Sequence, residues 1–161
     1  MELAVDKDLE NATLTVTATF AYPIEKVWAL YADPRKLERW WGPPTYPATV
    51  VRHELTPGGV VHYYMTSPEG EQFHGVWHVK TVDEPTGFTV DDFFADAEGA
   101  PAEGMPTVHM DYRFESTPDG TRMVCVSSYD SLEDLQKTLD MGMEEGLVGS
   151  MGQMEAVLAE G

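Results

Sequence analysis

A chain of 161 residues suits one domain with a sizeable core, since folding at this length buries about 70% of the surface an unfolded chain exposes. Its 42% apolar and 24% charged residues are those of a globular protein, and no stretch approaches the ~20 apolar residues of a membrane span. Ten Lys and Arg against 28 Asp and Glu give a net charge of −18, which repels phosphate backbones and anionic headgroups, so nucleic acid and membrane are not expected partners and the acidity reads as solubility.

The first residues, MELAVDKDLENATLTV, have neither the basic start nor the apolar run of a signal peptide, so a cytoplasmic location is expected, with residues 1–9 as an N-terminal tail. The single cysteine, Cys125, cannot form an internal disulfide and agrees with a reducing compartment. Residues 13–20, TLTVTATF, alternate and are β-branched, which predicts a first strand. The period then changes. Pro23 opens a helix in which Ile24, Val27, Trp28 and Tyr31 recur at helical spacing, with Glu25 near its positive end. Asp33 is placed to cap a second short helix, PRKLERWWG, stopped by Gly42, Pro43 and Pro44.

From about 46 to 129 strands alternate with the turns Pro57-Gly58-Gly59, Pro68-Glu69-Gly70, Glu84-Pro85-Thr86-Gly87 and Pro118-Asp119-Gly120, which predicts antiparallel neighbours. Residues 95–106, ADAEGAPAEGMP, read as a loop. Ser131 is a good N-cap for a last, long amphipathic helix whose stripe runs through Leu132, Leu135, Leu139, Met143, Leu147, Met154 and Leu158.

Strand parity selects the inward faces. It points Val61, Tyr63 and Met65 inward, then Phe73, Gly75, Trp77 and Val79. On the later strands it points Val108, Met110, Tyr112 and Phe114 inward, followed by Met123 and Cys125. On 88–94 it places Phe88, Val90 and Phe94 inside and, with them, Asp92. A carboxylate there needs a partner or a wet cavity; the alternative is a bulge that turns it to solvent. The C-terminal glycines Gly142, Gly146, Gly149 and Gly152 each cost a helix about 1 kcal/mol relative to Ala, so either the backbone packs tightly there or a hollow is left, walled by Met141, Met143, Met151 and Met154.

Catalytic and metal motifs are missing: the sequence contains no HExxH, CxxC, GxSxG or P-loop pattern. His74 and His78, four residues apart on a strand, are separated by about 13 Å and cannot share one metal by themselves. Parity puts His62, His74, His78 and His109 on the outer face, while His53 has no assigned direction. Cys125 between Val124 and Val126 reads as a small buried hydrophobe. No catalytic residue, metal or cofactor is expected.

The order strand, two short helices, meander and C-terminal helix, with AYPIEKVWALYADPRKLERWWGP, the PGG turn and DMGMEEGLVGSM, resembles the SRPBCC superfamily, also called START-like or Bet v 1-like. Within it the chain resembles the branch named for the C-terminal domain of the heat-shock-protein-90 ATPase activator, over about residues 10–159. The resemblance implies an α+β helix-grip fold, in which a curved antiparallel sheet of six to seven strands wraps the last helix around a cavity for a small hydrophobic ligand. Carried over by position, it implies a cavity wall of Trp41, Tyr63, Met65, Phe73, Trp77, Val90, Met110, Tyr112, Leu139, Met143 and Leu147, to which parity adds Asp92. The activator's separate N-terminal domain has no counterpart within these residues.

Three functions follow as expectations. The chain binds a lipid-, polyketide- or aromatic-like molecule, oriented by Asp92 with Tyr63 or Tyr112. Alternatively the same cavity is that of a cyclase or hydrolase with Asp92 as general acid or base. The third is a stress-related module that engages a chaperone or other protein through its acidic surface. Both a monomer and a homodimer, paired through strand 46–53 or the acidic loop, are compatible with the sequence.

Overall fold

The computed structural model describes residues 1–160. The elements run β1 (Glu2–Asp8), β2 (Thr13–Phe20), α1 (Ile24–Ala32), α2 (Pro34–Trp40), β3 (Ala48–His53), β4 (Val60–Thr66), β5 (Gln72–Asp83), β6 (Gly87–Ala95), β7 (Thr107–Thr117), β8 (Gly120–Ser128), α3 (Leu132–Asp140), α4 (Met143–Met151) and α5 (Met154–Glu160). All eight strands form one antiparallel sheet in the order β1-β2-β8-β7-β6-β5-β4-β3, so six consecutive strands make a meander and β8 closes against β2. The architecture is the α+β helix-grip fold.

Two details differ from the sequence expectation. Residues 1–9 are not a tail: β1 pairs with β2 from Glu2↔Thr19 to Asp8↔Thr13, which raises the strand count to eight. Only Leu3 and Val5 alternate toward the core there, too short an apolar pattern to score as a strand by itself, and the hairpin partner supplies the rest. The C-terminal helical run, expected as one piece, is three segments. Gly142 adopts φ 85°, a left-handed geometry that glycine enters without penalty, so α3 ends there and α4 restarts with Gly142 as its N-cap. Leu132, expected on the apolar stripe, is half exposed at the first turn, while Leu135 is buried.

Helix starts follow the expected capping chemistry. The Asp33 carboxylate accepts from the Arg35 amide at 2.9 Å, and the Ser131 hydroxyl accepts from the Asp134 amide at 3.1 Å. Between sheet and helices lies an aromatic core in which Tyr31 contacts Trp40, Phe88, Tyr112 and Phe114 with ring centroids 5.0–5.4 Å apart. Trp28 meets Phe88 and Phe114 edge to face, both at 5.8 Å. Such pairs add about 0.5–1.5 kcal/mol each beyond burial, so this end of the concave face is filled and rigid. Among the described residues no helix is long and apolar enough to cross a membrane.

Candidate functional site

Beyond that aromatic block the packing opens. A cavity of about 220 Å³ lies between the concave sheet and α4. The deeper interior, around Tyr31, Trp40, Tyr112 and Met123, retains only a crevice of about 10 Å³.

Along β6, β7 and β8 the register shows where the inward side chains become smaller. Phe88 faces Tyr112 across β6 and β7, and Phe114 faces Met123 across β7 and β8, so large side chains meet at one end. Toward the other end the same inward parity brings Asp92 opposite Val108 and Met110 opposite Ser127. Smaller and polar side chains there leave volume that rings fill elsewhere. Helix α4 completes the wall with Met143, Gly146, Leu147 and Ser150. A Cβ on Gly146 would meet nothing nearer than Pro43 Cγ at 3.9 Å, so this glycine borders open space and is not forced by close packing. Gly149 likewise stands over Pro43 and Pro44 at 3.9 Å.

Trp41 reaches the cavity because the chain turns sharply after α2. Gly42 permits that turn, since a Cβ there would overlap the Tyr46 and Pro47 backbone, and Gln153 Nε2 donates to the Gly42 carbonyl at 2.6 Å, tying the turn to the α4–α5 junction. The Trp41 ring meets Trp77 at 5.0 Å and Tyr63 at 5.8 Å, both edge to face.

The polar feature of the cavity is a carboxylate and a phenol. The Tyr63 hydroxyl donates to Asp92 Oδ1 at 3.1 Å. It can do so because Tyr63 faces Gly75 across β4 and β5, and a Cβ at 75 would overlap the Tyr63 ring and hydroxyl. No bulge interrupts the pairing of β6 with β7, so Asp92 keeps its inward direction, with its accessible part in the cavity wall. Burial pushes the Asp92 carboxyl up to about 7, against the opposing pull of the Tyr63 hydrogen bond. Burial, with Asp92 nearby, raises the Tyr63 phenol well above its ordinary value, and burial pushes the Cys125 thiol up to about 12. The indole nitrogens of Trp41 and Trp77 are buried without a hydrogen-bond partner among the described residues.

Of the twelve side chains expected at a ligand site, the fold brings Trp41, Tyr63, Met65, Asp92, Met110, Met143 and Leu147 together around this cavity. The other five stand elsewhere. Trp77, Val90 and Tyr112 are sealed in the packed core, with Trp77 stacked on Phe88 at 5.9 Å. Leu139 packs between α3 and the core. Phe73, expected inward by parity, is 50% exposed beside Tyr46 near the start of β5. Phe94, also expected inside, is 38% exposed and borders the cavity. Of the four helix methionines only Met143 lines this cavity; Met141 is exposed, and Met151 and Met154 are core.

Sequence reasoning missed Pro43, Phe93, Pro106, Ser127, Tyr129, Thr138 and Ser150 as lining residues. Extending the parity of Met123 and Cys125 by two steps would have found Ser127 and Tyr129. The others depend on loop and helix placement.

The outer face carries four histidines, His62, His74, His78 and His109, while His53, paired with inward Val61, faces α1. His62 Nε2 lies 2.8 Å from His74 Nδ1, and His109 sits between Asp91 at 2.7 Å and Asp130 at 2.9 Å. His53 Nε2 is 2.9 Å from the Tyr31 carbonyl oxygen. Among the described residues no group of three or more His, Cys, Asp or Glu side chains is arranged to hold a metal ion.

A sheet wrapped on a C-terminal helical run with a hollow between them defines the Bet v 1-like class of the SRPBCC superfamily. The sequence profile of the family described as "Activator of Hsp90 ATPase homolog 1-like protein" matches residues 21–159, and the chain belongs to that family. It is similar to the crystal structure of protein Ms6760 from Mycobacterium smegmatis, with 46% identity, TM-score 0.90, and 98% of this chain and 97% of that one covered. A protein from Arthrobacter aurescens, solved by NMR, is 44% identical with TM-score 0.92 over 98% of this chain and 92% of that one. One from Staphylococcus epidermidis is 27% identical with TM-score 0.84 over 97% and 93%. No curated protein matches the chain.

Proposed function

We propose that this protein binds a compact, largely apolar small molecule in the cavity between the sheet and α4. The observation that carries the reading is a hollow of about 220 Å³ beside an otherwise filled core, walled by rings and thioethers and holding one carboxylate–phenol pair. An apolar cavity of about 150 Å³ is enough for benzene, and pockets for drug-sized ligands start near 300 Å³, so an occupant of one ring with a short substituent fits. Burying its surface at about 25 cal/mol per Å², less the cost of association, gives a dissociation constant on the order of 0.1–1 mM.

The test is to fill the hollow. Gly146→Leu adds a side chain toward open space and removes a glycine from the interior of α4, which contributes about 0.8 kcal/mol of helix propensity. The variant is expected to melt at or above the wild-type temperature while losing the change in tryptophan emission produced by compact aromatic ligands. A variant that still responds as wild type does would place the ligand outside the cavity and reject the reading.

A second reading rests on the family description and the net charge of −18: association with an Hsp90-type chaperone through the acidic surface. It predicts binding at low salt that weakens as exposed charges are screened and that Gly146→Leu leaves intact.

A further inference from the structure

The cavity's charge pattern narrows its occupant further, on the footing of the cavity reading above. Asp92 is the one lining side chain that can carry a charge near neutral pH; the lining contains no Lys, Arg or His. The carboxylate's single protein hydrogen bond, from Tyr63, goes to Oδ1, and no donor among the described residues reaches Oδ2. A recessed carboxylate with a free oxygen and no cation is electrostatically incomplete. Trp41, Tyr63 and Tyr129, with Met110 and Met143, line the same cavity and supply aromatic and thioether surface of the kind that attracts a cation. At longer range the net charge of −18 enriches cations and repels anions at the entrance.

We propose that the cavity selects compact apolar amines, with the ammonium donating to Oδ2 of Asp92 and the ring lodged among Trp41, Tyr63, Tyr129 and the methionine side chains. A neutral alcohol supplies the donor without the charge, so it binds more weakly. A carboxylate of the same shape brings a second negative charge to a wall with no cation, and it is excluded.

Three isosteric probes decide the matter: 3-phenylpropylamine, 3-phenylpropanol and 3-phenylpropanoate. They are titrated into the full chain at pH 8 and 150 mM salt, which screens attachment to exposed carboxylates. The methionine methyl signals of Met65, Met110 and Met143 report occupancy, and Gly146→Leu serves as the blocked control. The amine is expected to bind about tenfold tighter than the alcohol, the difference between a charge-assisted and a neutral hydrogen bond, and the acid is expected not to saturate. In Asp92→Asn, amine and alcohol converge to within about threefold. Alcohol binding equal to amine binding, or an amine preference that survives Asp92→Asn, overturns amine selection while leaving the cavity as a binding site. Absence of saturable shifts with all three probes at 10-fold above the expected range, about 10 mM, rejects both the selectivity and the cavity reading.

Discussion

Asp91 and Asp92 are adjacent on β6, and the pleat sends them to opposite sides of the sheet into opposite electrostatic fates. On the outer face Asp91 meets Lys80 Nζ at 3.0 Å and His109 Nδ1 at 2.7 Å. Partial burial works against its ionisation, but these partners outweigh it and hold the carboxyl below its ordinary range. On the inner face Asp92 has one neutral donor, and burial carries it to about 7. What separates the two is the supply of partners: solvated cross-strand neighbours complete the outer carboxylate, whereas the inner one has only the Tyr63 hydroxyl. The contrast sets a partnered surface carboxylate, Asp91, beside an inward one, Asp92, whose Oδ2 meets no donor among the described residues.

The comparison breaks most visibly on removal of the inner charge. Between pH 4 and 7 an unfolded chain has lost the Asp92 proton while the folded one keeps it, so the folded state binds more protons and stability falls as pH rises through that window. With about three pH units at 1.36 kcal/mol each, the loss reaches up to about 4 kcal/mol. The titratable groups that feel the charge of Asp92, namely Tyr63, Tyr112, Tyr129 and Cys125, are all shifted upward and stay neutral there, so they do not blur the window. Asp92→Asn retains an acceptor for Tyr63 and is expected to unfold at higher urea than wild type at pH 8, with the gap closing by pH 4. A gap of the same size at both pH values would show that Asp92 is not held protonated by the fold.

How far the sequence disclosed this arrangement depends on which geometric variable is asked for. Parity, a property of one strand, put Asp92, Tyr63 and Met110 on the concave side and the outer histidines on the other. It gave no height along the strand. Whether an inward residue joins the packed block, as Trp77 and Tyr112 do, or the hollow, as Asp92 and Ser127 do, is not set by register alone, since Trp77 and Asp92 are direct cross-strand partners; it depends also on side-chain size and on where the helices cover the sheet. Nor does register account for Phe73, which pairs with the cavity-lining Met65 and is nonetheless half exposed. The helix ends were legible because capping is local: Asp33 and Ser131 bond amides two and three residues away. The break at Gly142 was only half legible, since a glycine in a helix announces either a turn or a space, and here Gly142 makes the turn while Gly146 borders the space. The β1 strand was hidden because its evidence lies in its partner, β2.

A middle-sized effect tests how the inner pair is built. Gly75→Ala places a methyl where the Tyr63 ring and hydroxyl lie, and overpacking of this kind costs about 2 kcal/mol. Displacing the hydroxyl also removes the one interaction that draws the Asp92 carboxyl downward, so its titration midpoint, read from the carboxyl carbon resonance, is expected to move above 7. Tyr63→Phe should reproduce the shift in midpoint without the overlap. A midpoint unmoved in both variants would mean that the hydroxyl does not act on Asp92.

The smallest effect belongs to the outer face and has the opposite dependence on pH. Hydrogen bonds donated to Asp91 and Asp130 raise the His109 imidazole above its ordinary value, so its stabilisation is complete below about pH 6.5 and fades as pH rises through the folded value. The side chain is 41% exposed, and ion pairs in such settings are worth about 1 kcal/mol or less. His109→Ala is therefore expected to cost under about 1 kcal/mol at pH 6 and close to nothing at pH 9, less again in high salt, because Lys80 still accompanies Asp91. Urea unfolding of His109→Ala and Asp92→Asn across one pH series would then give differences of opposite sign, one shrinking with pH and the other growing. Parallel pH trends in the two variants would remove the distinction between the two faces of β6 on which the assignment of Asp92 to the cavity chemistry stands.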